Sequence, residues 1–309
     1  MQPILTIHTA TYNRAHTLPR TFESLKRQTC HEFDWFVTDN GSTDNTEKLF
    51  QEWKKEELPF NIYYHKISER GIPRALNYGV NNIPGKYFFM LDSDDALLPN
   101  GVELILNGIR QIDQIDSIAG VGFVRVKENG EPIKGVWPLV NDDGYIDCTN
   151  LERSKYNLDA DMCEAYKVEV IKKYPFQVWP DEIYAPEQTC FDMLALDGYK
   201  IRWFKDAIYI CEYLEDGQTV GNWNLLRNNK MGYAILSNQR LLTAKDLKSK
   251  IRSAAQHIAL SINAGHPSYI LKSYKPWITL LALPYGLLLT IRRHEQFKYD
   301  DPVNRRNFT

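Results

Sequence analysis

MLDSDDALLP, residues 90–99, decides how the chain is read. The apolar run FFML at 88–91 leads straight into three carboxylates within four positions, Asp92, Asp94 and Asp95. Like charges this close repel, and acids at the end of a buried strand cost folding energy unless a positive group neutralises them. One aspartate could cap the helix expected near LLPNGVEL, but a single residue would suffice for that. A hard divalent cation, Mg2+ or Mn2+, meets the charge with oxygen ligands and commonly keeps substrate phosphates in its shell. The stretch therefore reads as a buried strand ending in a binding loop.

Outward from this point, strand and helix signals alternate. PILTIHTA (3–10) is apolar and β-branched, and the following TYNRAHTLPRTFESLKRQ carries Leu18, Phe22 and Leu25 at helical spacing. FDWFVTDNGSTDNT (33–46) is a second strand running into a turn, followed by a helix over 43–55 with a cap signal at its start. NIYYHKI, IPRALNYGVNNI, KYFFML and LPNGVELILNGIRQI continue the strand–helix alternation to residue 112. Such alternation predicts a mostly parallel sheet covered on both faces. Ligands of these sheets bind beyond the carboxyl ends of the strands, so TATYNR, TDNG and DSDD are expected on one rim.

From Gly120 the pattern changes: GVGFVRVKENGEPIKGVWP suggests a hairpin turning at ENGE, and ADMCEAYKVEVIKKY a helix or a helix with a strand. YKIRWFKDAIYICEYLEDG suggests two further strands, and residues 222–266 are helical and mixed in charge. The 309 residues suffice for one large or two modest cores, and a net charge of −2 excludes a nucleic-acid binder. Five scattered cysteines with no CxxC predict reduced thiols in a cytosol rather than zinc or disulfides. The N-terminus lacks the pattern of a signal peptide. The apolar stretch PWITLLALPYGLLLTI (276–291), followed by Arg292 and Arg293, is short for a span and interrupted by Pro284 and Gly286. It reads either as buried core or as a segment lying in a membrane surface.

Taken together, TYNR (11–14), TDNGSTDNT (38–46) and RALNYGVNNIPGKYFFMLDSDD (74–95) resemble, in order and spacing, the inverting family 2 glycosyltransferases of GT-A fold. The resemblance covers roughly residues 3–215. It implies a Rossmann-like sheet domain over 1–219, with a nucleotide-sugar half (1–119) and an acceptor half (120–219), then a helical region over 220–309.

The resemblance also assigns roles. Thr11, Tyr12 and Arg14 line the nucleotide pocket, and Asp39 hydrogen-bonds the base, typically at a uracil imide. Asn40 stands where many relatives have a second aspartate, and Asp44 fits better as a helix cap. Asp92 contacts ribose or sugar, and Asp94 ligates the Mn2+ or Mg2+ that bridges the diphosphate. Ser93 and Asp95 complete the donor loop, with Asp95 left between donor contact and cap. Relatives often carry Ala-Arg-Asn where this chain has Ala75-Leu76-Asn77, which removes one phosphate or sugar contact that Arg74 or Arg70 could supply in part.

Inverting transfer needs a carboxylate to take the acceptor hydroxyl's proton. The resemblance places it at Glu187, with Asp192 and Glu182 as further candidates. Asp161 and Glu164 fall near the acceptor entrance, and Glu212 or Tyr213 near the position of a histidine that many relatives carry. His8 and His16 read as structural. The expected activity is transfer of a sugar, from a UDP-sugar by preference, to a hydroxyl of a glycan or lipid-linked saccharide in cell-surface polysaccharide synthesis. A homodimer and a cytoplasmic chain touching the inner face of the membrane through residues 276–293 are further expectations. Two alternatives remain: an inactive relative that holds a nucleotide-sugar within an assembly, and a sugar-1-phosphate nucleotidyltransferase. The second would need a Gly-rich basic loop near the N-terminus, which this chain lacks.

Overall fold

The computed structural model describes residues 3–211 and 222–299. Two compact units divide the chain, one of residues 3–175 and 193–211, the other of 176–192 and 222–299.

The first unit begins as the sequence suggests. β1 (Leu5–Thr11), α1 (Leu18–Lys26), β2 (Phe33–Asp39), α2 (Thr46–Trp53), β3 (Ile62–Lys66), α3 (Ile72–Asn82) and β4 (Tyr87–Met90) alternate. Strands β3, β2, β1 and β4 lie side by side and all pair parallel. β1 and β2 are buried along nearly their whole length, on both faces of the sheet. Some of their polar side chains bond within the sheet region: Thr9 Oγ1 accepts from the Trp35 indole at 3.0 Å, and Thr6 Oγ1 from the Gly85 amide at 3.0 Å. His8 is one of these interior groups, 2.9 Å from Thr38 Oγ1, and burial pushes its pKa down to about 3. It is structural, as expected. In α1, Leu18, Phe22 and Leu25 face inward, and Phe22 stacks on Trp53 with centroids 4.3 Å apart.

β5 (Ala96–Leu97) and α4 (Gly101–Ile112) follow the carboxylates; α4 turns Val102, Ile105, Leu106, Ile109 and Ile112 to the core at helical spacing. Then come β6 (Ile118–Val126), β7 (Tyr145–Cys148), β8 (Met162–Lys167) and the short α5 (Val168–Ile171). α6 (Gln188–Leu196) leads into β9 (Lys200–Ile210). The sheet continues β4-β8-β6-β9-β5 with β7 also on β9. β8 runs antiparallel to both β4 and β6, whereas β6 and β9 are parallel. The parallel half thus carries the strands up to β4, and antiparallel pairs enter only beyond it.

Three local expectations are refined. The hairpin at ENGE closes through a single bridge, Val126 to Pro132, flanked by bonds from Lys127 N to the Glu131 carbonyl at 2.9 Å and from Ile133 N to the Arg125 carbonyl at 3.1 Å. The segment 160–174 divides into β8 and α5. Of the span 199–217, where two strands are expected, the described residues hold one eleven-residue strand, β9, whose register against β6 shifts near exposed Lys205 and Asp206; residues 212–217 lie outside the described residues.

β6 depends on small residues to sit against β9. A Cβ on Gly122 would lie 2.3 Å from the ring of fully buried Trp203. Gly122→Ala is therefore expected to cost about 3 kcal/mol through overpacking, read as a lower denaturation midpoint with an unchanged m-value. A midpoint equal to the parent would mean that Trp203 moves freely.

The second unit is helical: α7 (Asn222–Asn228), α8 (Lys230–Thr243), α9 (Leu247–Asn263), α10 (Pro276–Leu281) and α11 (Leu283–Gln296). Leu241, Ala254, Ile258 and Ala282 form one small core, and Met231, Ala234 and Leu260 another. Asp246 starts α9 by accepting from the Ser249 amide at 2.8 Å. The apolar stretch 276–291 breaks at Ala282 into α10 and α11; Ala282 and Gly286 are buried, and most of its large side chains are exposed. Among the described residues no helix is long and apolar enough to cross a membrane.

Candidate active site

The carboxyl ends of three neighbouring strands build the site in the first unit. Thr11 at the end of β1 pairs in register with Asp39 at the end of β2, and His8 with Met90 at the end of β4. TYNR, TDNG and DSDD, about 30 and 50 residues apart along the chain, therefore share one rim, as the parallel topology requires.

The first two loops lock together. Asn13 adopts a left-handed backbone (φ 53°), its amide donates to Ser42 Oγ at 2.8 Å, and its side chain accepts from the Thr43 amide at 2.8 Å. Asp44 accepts from Ala15 N at 3.0 Å and from both the amide and hydroxyl of Thr46, the first residue of α2. It holds a helix start and a loop, in keeping with the cap reading. Thr11 is buried, and its carbonyl accepts from Asn40 N at 2.8 Å. Asp39 is fully buried; one oxygen accepts from Ser42 N at 2.7 Å and the other from the Tyr64 hydroxyl. Burial, with Asp39 next, raises the Tyr64 pKa far above its ordinary value. Each carboxylate oxygen keeps a further acceptor direction.

On the same rim, the Arg70 guanidinium lies 4.1 Å from the Tyr12 ring centroid. Arg74 Nη1 donates to the Arg70 carbonyl at 2.7 Å, and Arg74 Nε lies 3.4 Å from Glu69 Oε2. Arg74 lies on α3 two residues before Leu76, where the expected arginine is missing, Arg70 lies just ahead of that helix, and one face of Tyr12 carries a cation. Arg14 and His16 lie on the same loop, half-buried and exposed respectively.

The acidic loop is held from below. Thr17 Oγ1 donates to the Ser93 carbonyl at 2.9 Å, Arg20 Nη1 to the Asp94 carbonyl at 3.0 Å, and Thr21 Oγ1 to the Asp95 carbonyl at 2.9 Å. Helix α1 therefore fixes the backbone of all three residues. Ser93 and Asp95 are buried, Asp94 is half-buried, and the Asp92 side chain is 55% exposed.

Two residues that the sequence reading missed complete the loop. Arg125, near the end of β6, places Nη1 3.0 Å from Asp92 Oδ2 and 3.9 Å from Asp95 Oδ2, and Nε donates to the Met162 carbonyl at 2.8 Å. Its guanidinium lies over the Tyr209 ring at 4.2 Å. Tyr209 accepts from Asp92 N at 2.9 Å and donates to Asp92 Oδ2 at 3.0 Å. Burial would lower the Arg125 pKa, but charge interactions with Tyr209 and Asp92 raise it well above the ordinary value. The one signal available in sequence was a lone arginine in the otherwise apolar GVGFVRV.

The donor set suits Mg2+ or Mn2+: hard carboxylate oxygens on a fixed loop, with Asp94 presented at the rim. Such ions are commonly bound through one or two carboxylates and substrate phosphates rather than an all-protein cage. Among the described residues no three His, Cys, Asp or Glu side chains converge as a cage of that kind.

The second unit holds the predicted base. Half-buried Glu187 precedes α6, and its main-chain carbonyl accepts from Cys190 N at 2.9 Å and Phe191 N at 3.3 Å. Glu182 is committed elsewhere, its two oxygens accepting from Met231 N and Gly232 N, each at 2.7 Å, at the start of α8. Burial raises its pKa, and the two amides oppose that shift. Glu182 is therefore a clamp on α8, a correction to its candidacy as base. Asp192 is buried, accepts from Gln188 Nε2 at 2.6 Å, and burial raises its pKa. Back in the first unit, Glu164 is buried in β8 with Arg153 Nη1 4.0 Å away, and burial raises its pKa. Glu212 and Tyr213 lie outside the described residues.

The family model described as Glycosyl transferase family 2 matches residues 6–174, which contain the whole strand-end rim. The chain belongs to glycosyl transferase family 2. An uncharacterized glycosyltransferase of Rickettsia felis is 30% identical over 138 residues, covering 44% of this chain and 22% of that protein. This family 2 chain thus spans about a fifth of the length of that relative. Crystal structures share the fold: TarS 1–349 of S. aureus in complex with UDP-GlcNAc has a TM-score of 0.57 at 16% identity, covering 95% of this chain and 90% of that one. The mannosyltransferase PcManGT of Pyrobaculum calidifontis, in complex with GDP-Man and Mn2+, has a TM-score of 0.53 at 17% identity, covering 97% of this chain and 89% of that one. These likenesses establish the family 2 sheet architecture with its helical C-terminal region.

Proposed function

We propose that this chain is an inverting glycosyltransferase that moves a sugar from a nucleoside-diphosphate sugar, UDP-linked by preference, to a hydroxyl of a glycan or lipid-linked saccharide. The observation that carries the reading is the shared rim of β1, β2 and β4, which gathers Tyr12, Arg14, Asp39 and Asp92–Asp95. In this reading Tyr12 and Asp39 meet the base, and Arg14 and Arg74 the diphosphate through their planar forks. Asp92 and Asp95 address the ribose and sugar, with Ser93 fixing the loop between them. Asp94 would hold Mn2+ or Mg2+, which supplies positive charge to the leaving diphosphate. Glu187 takes the proton of the attacking hydroxyl. Support for a nucleotide-sugar donor also comes from fold neighbours solved with UDP-GlcNAc and GDP-Man.

The test is a thermal-shift series with UDP-GlcNAc, other UDP-sugars and GDP-Man, each with Mn2+, followed by donor hydrolysis. A true donor at about 100 times its Kd should stabilise the protein by about 2.7 kcal/mol. Asp94→Ala should abolish the metal-dependent part of the shift and of the hydrolysis. No shift with any nucleotide-sugar would sink the proposal, whereas tight binding without turnover on any acceptor would favour the inactive relative.

A further inference from the structure

Helices α10 and α11 carry two apolar stripes. The inner one, Ala282 and Gly286, is buried, and a Cβ on Gly286 would lie 2.8 Å from Ile258 of α9. The outer one consists of Trp277 and Leu281 on α10 and Leu288 and Ile291 on α11, each pair at the spacing of one helix face, flanked by Leu280 and Leu287. Trp277 is 83% exposed, Leu288 67% and Ile291 66%. So many large apolar side chains exposed within sixteen residues mark a docking surface rather than scattered exposure.

Charge selects the occupant. From Leu247 to His294 the chain has no Asp or Glu, but it has Lys248, Lys250, Arg252, Lys272, Lys275, Arg292 and Arg293, in a molecule whose net charge is −2. Lys272 and Lys275 precede the apolar face, Arg292 follows it, and all three are exposed. Apolar side chains with a tryptophan among them and cations at both ends are what an interfacial helix presents to lipid. A second copy of the chain would bring the same cations against its own.

We infer that the outer face of α10 and α11 docks on an anionic lipid bilayer, lying in its surface without crossing it. The flanking lysines and arginine meet headgroup phosphates, and Trp277 and the leucines enter the acyl boundary. This rests on the surface alone, so vesicle binding can fail or succeed independently of the catalytic reading.

The experiment is flotation of the whole chain with vesicles of phosphatidylglycerol and phosphatidylcholine, compared with phosphatidylcholine alone. Binding should be stronger to the anionic vesicles and weaken as salt rises. Leu281→Glu with Leu288→Glu should lower the partition coefficient about tenfold or more, with unchanged far-UV circular dichroism. Lys275→Gln with Arg292→Gln should narrow the difference between the two vesicle types. Brominated lipid should quench fluorescence in the parent and much less in Trp277→Phe, a readout that stands even if the glutamate variant misfolds. A parent that stays unbound, or one bound equally after the glutamate substitutions, overturns the inference. So does a solution dimer that those substitutions dissociate while vesicles capture neither form.

Discussion

Glu187→Gln is expected to slow sugar transfer about a thousandfold, within the range that a positioned general base supplies, and to leave donor affinity within a few-fold. The amide keeps the shape of the side chain but cannot take a proton. The start of α6 should survive, because the bonds to Cys190 N and Phe191 N come from the Glu187 main-chain carbonyl. The loss of one negative charge near a helix start costs only about 0.3–1 kcal/mol, so a thermal midpoint close to the parent separates catalysis from folding. The defect should lie in kcat with acceptor and donor at saturation. Glu182→Gln provides the contrast: it weakens two charge-assisted bonds at α8, so stability should fall there while the remaining folded enzyme turns over normally. Near-parental turnover by Glu187→Gln would remove it as the base.

How much of this was legible follows from where the information sits. The parallel half could be read because each strand is a short apolar run bounded by turn residues, and its ligand loops follow at once: LTIHTAT then YNR, FDWFVTD then NGST, YFFM then LDSDD. The antiparallel half could not, because β8 inserts between β4 and β6 over long sequence separations and no local pattern encodes that order. Glu182 looked like Glu187 in sequence, an acid among prolines and aromatics; only its two amide partners, 49 and 50 residues away, reveal the clamp. The two stripes of α10 and α11 were hidden for another reason. A wholly apolar run has no periodicity, so the face that packs on α9 cannot be told from the face left exposed.

Arg125→Leu should destabilise the first unit by about 3 kcal/mol, toward the lower end for breaking a buried pair because the Asp92 side chain is 55% exposed. The substitution removes the guanidinium from Asp92 and Asp95, leaves the Met162 carbonyl without this donor, and uncovers the Tyr209 ring. The question raised by MLDSDDALLP then has a partial answer in the fold itself: part of the acidic charge is balanced by an internal cation before any ligand binds. That balance predicts a pH signature. Removing a nearby positive charge disfavours the ionised form of the carboxylates that face it, so the folded variant would bind more protons than the folded parent. Its deficit relative to the parent should therefore shrink as pH falls through the carboxylate range and be largest near neutrality. Asp95→Asn added to Arg125→Leu should recover about 1–2 kcal/mol, because residues in one ion-pair network are not additive. Urea denaturation of the four proteins at acidic and neutral pH measures all of these terms. A deficit that stays constant with pH, with strict additivity in the double variant, would mean that Arg125 contributes packing and hydrogen bonding alone and that the carboxylates are balanced elsewhere.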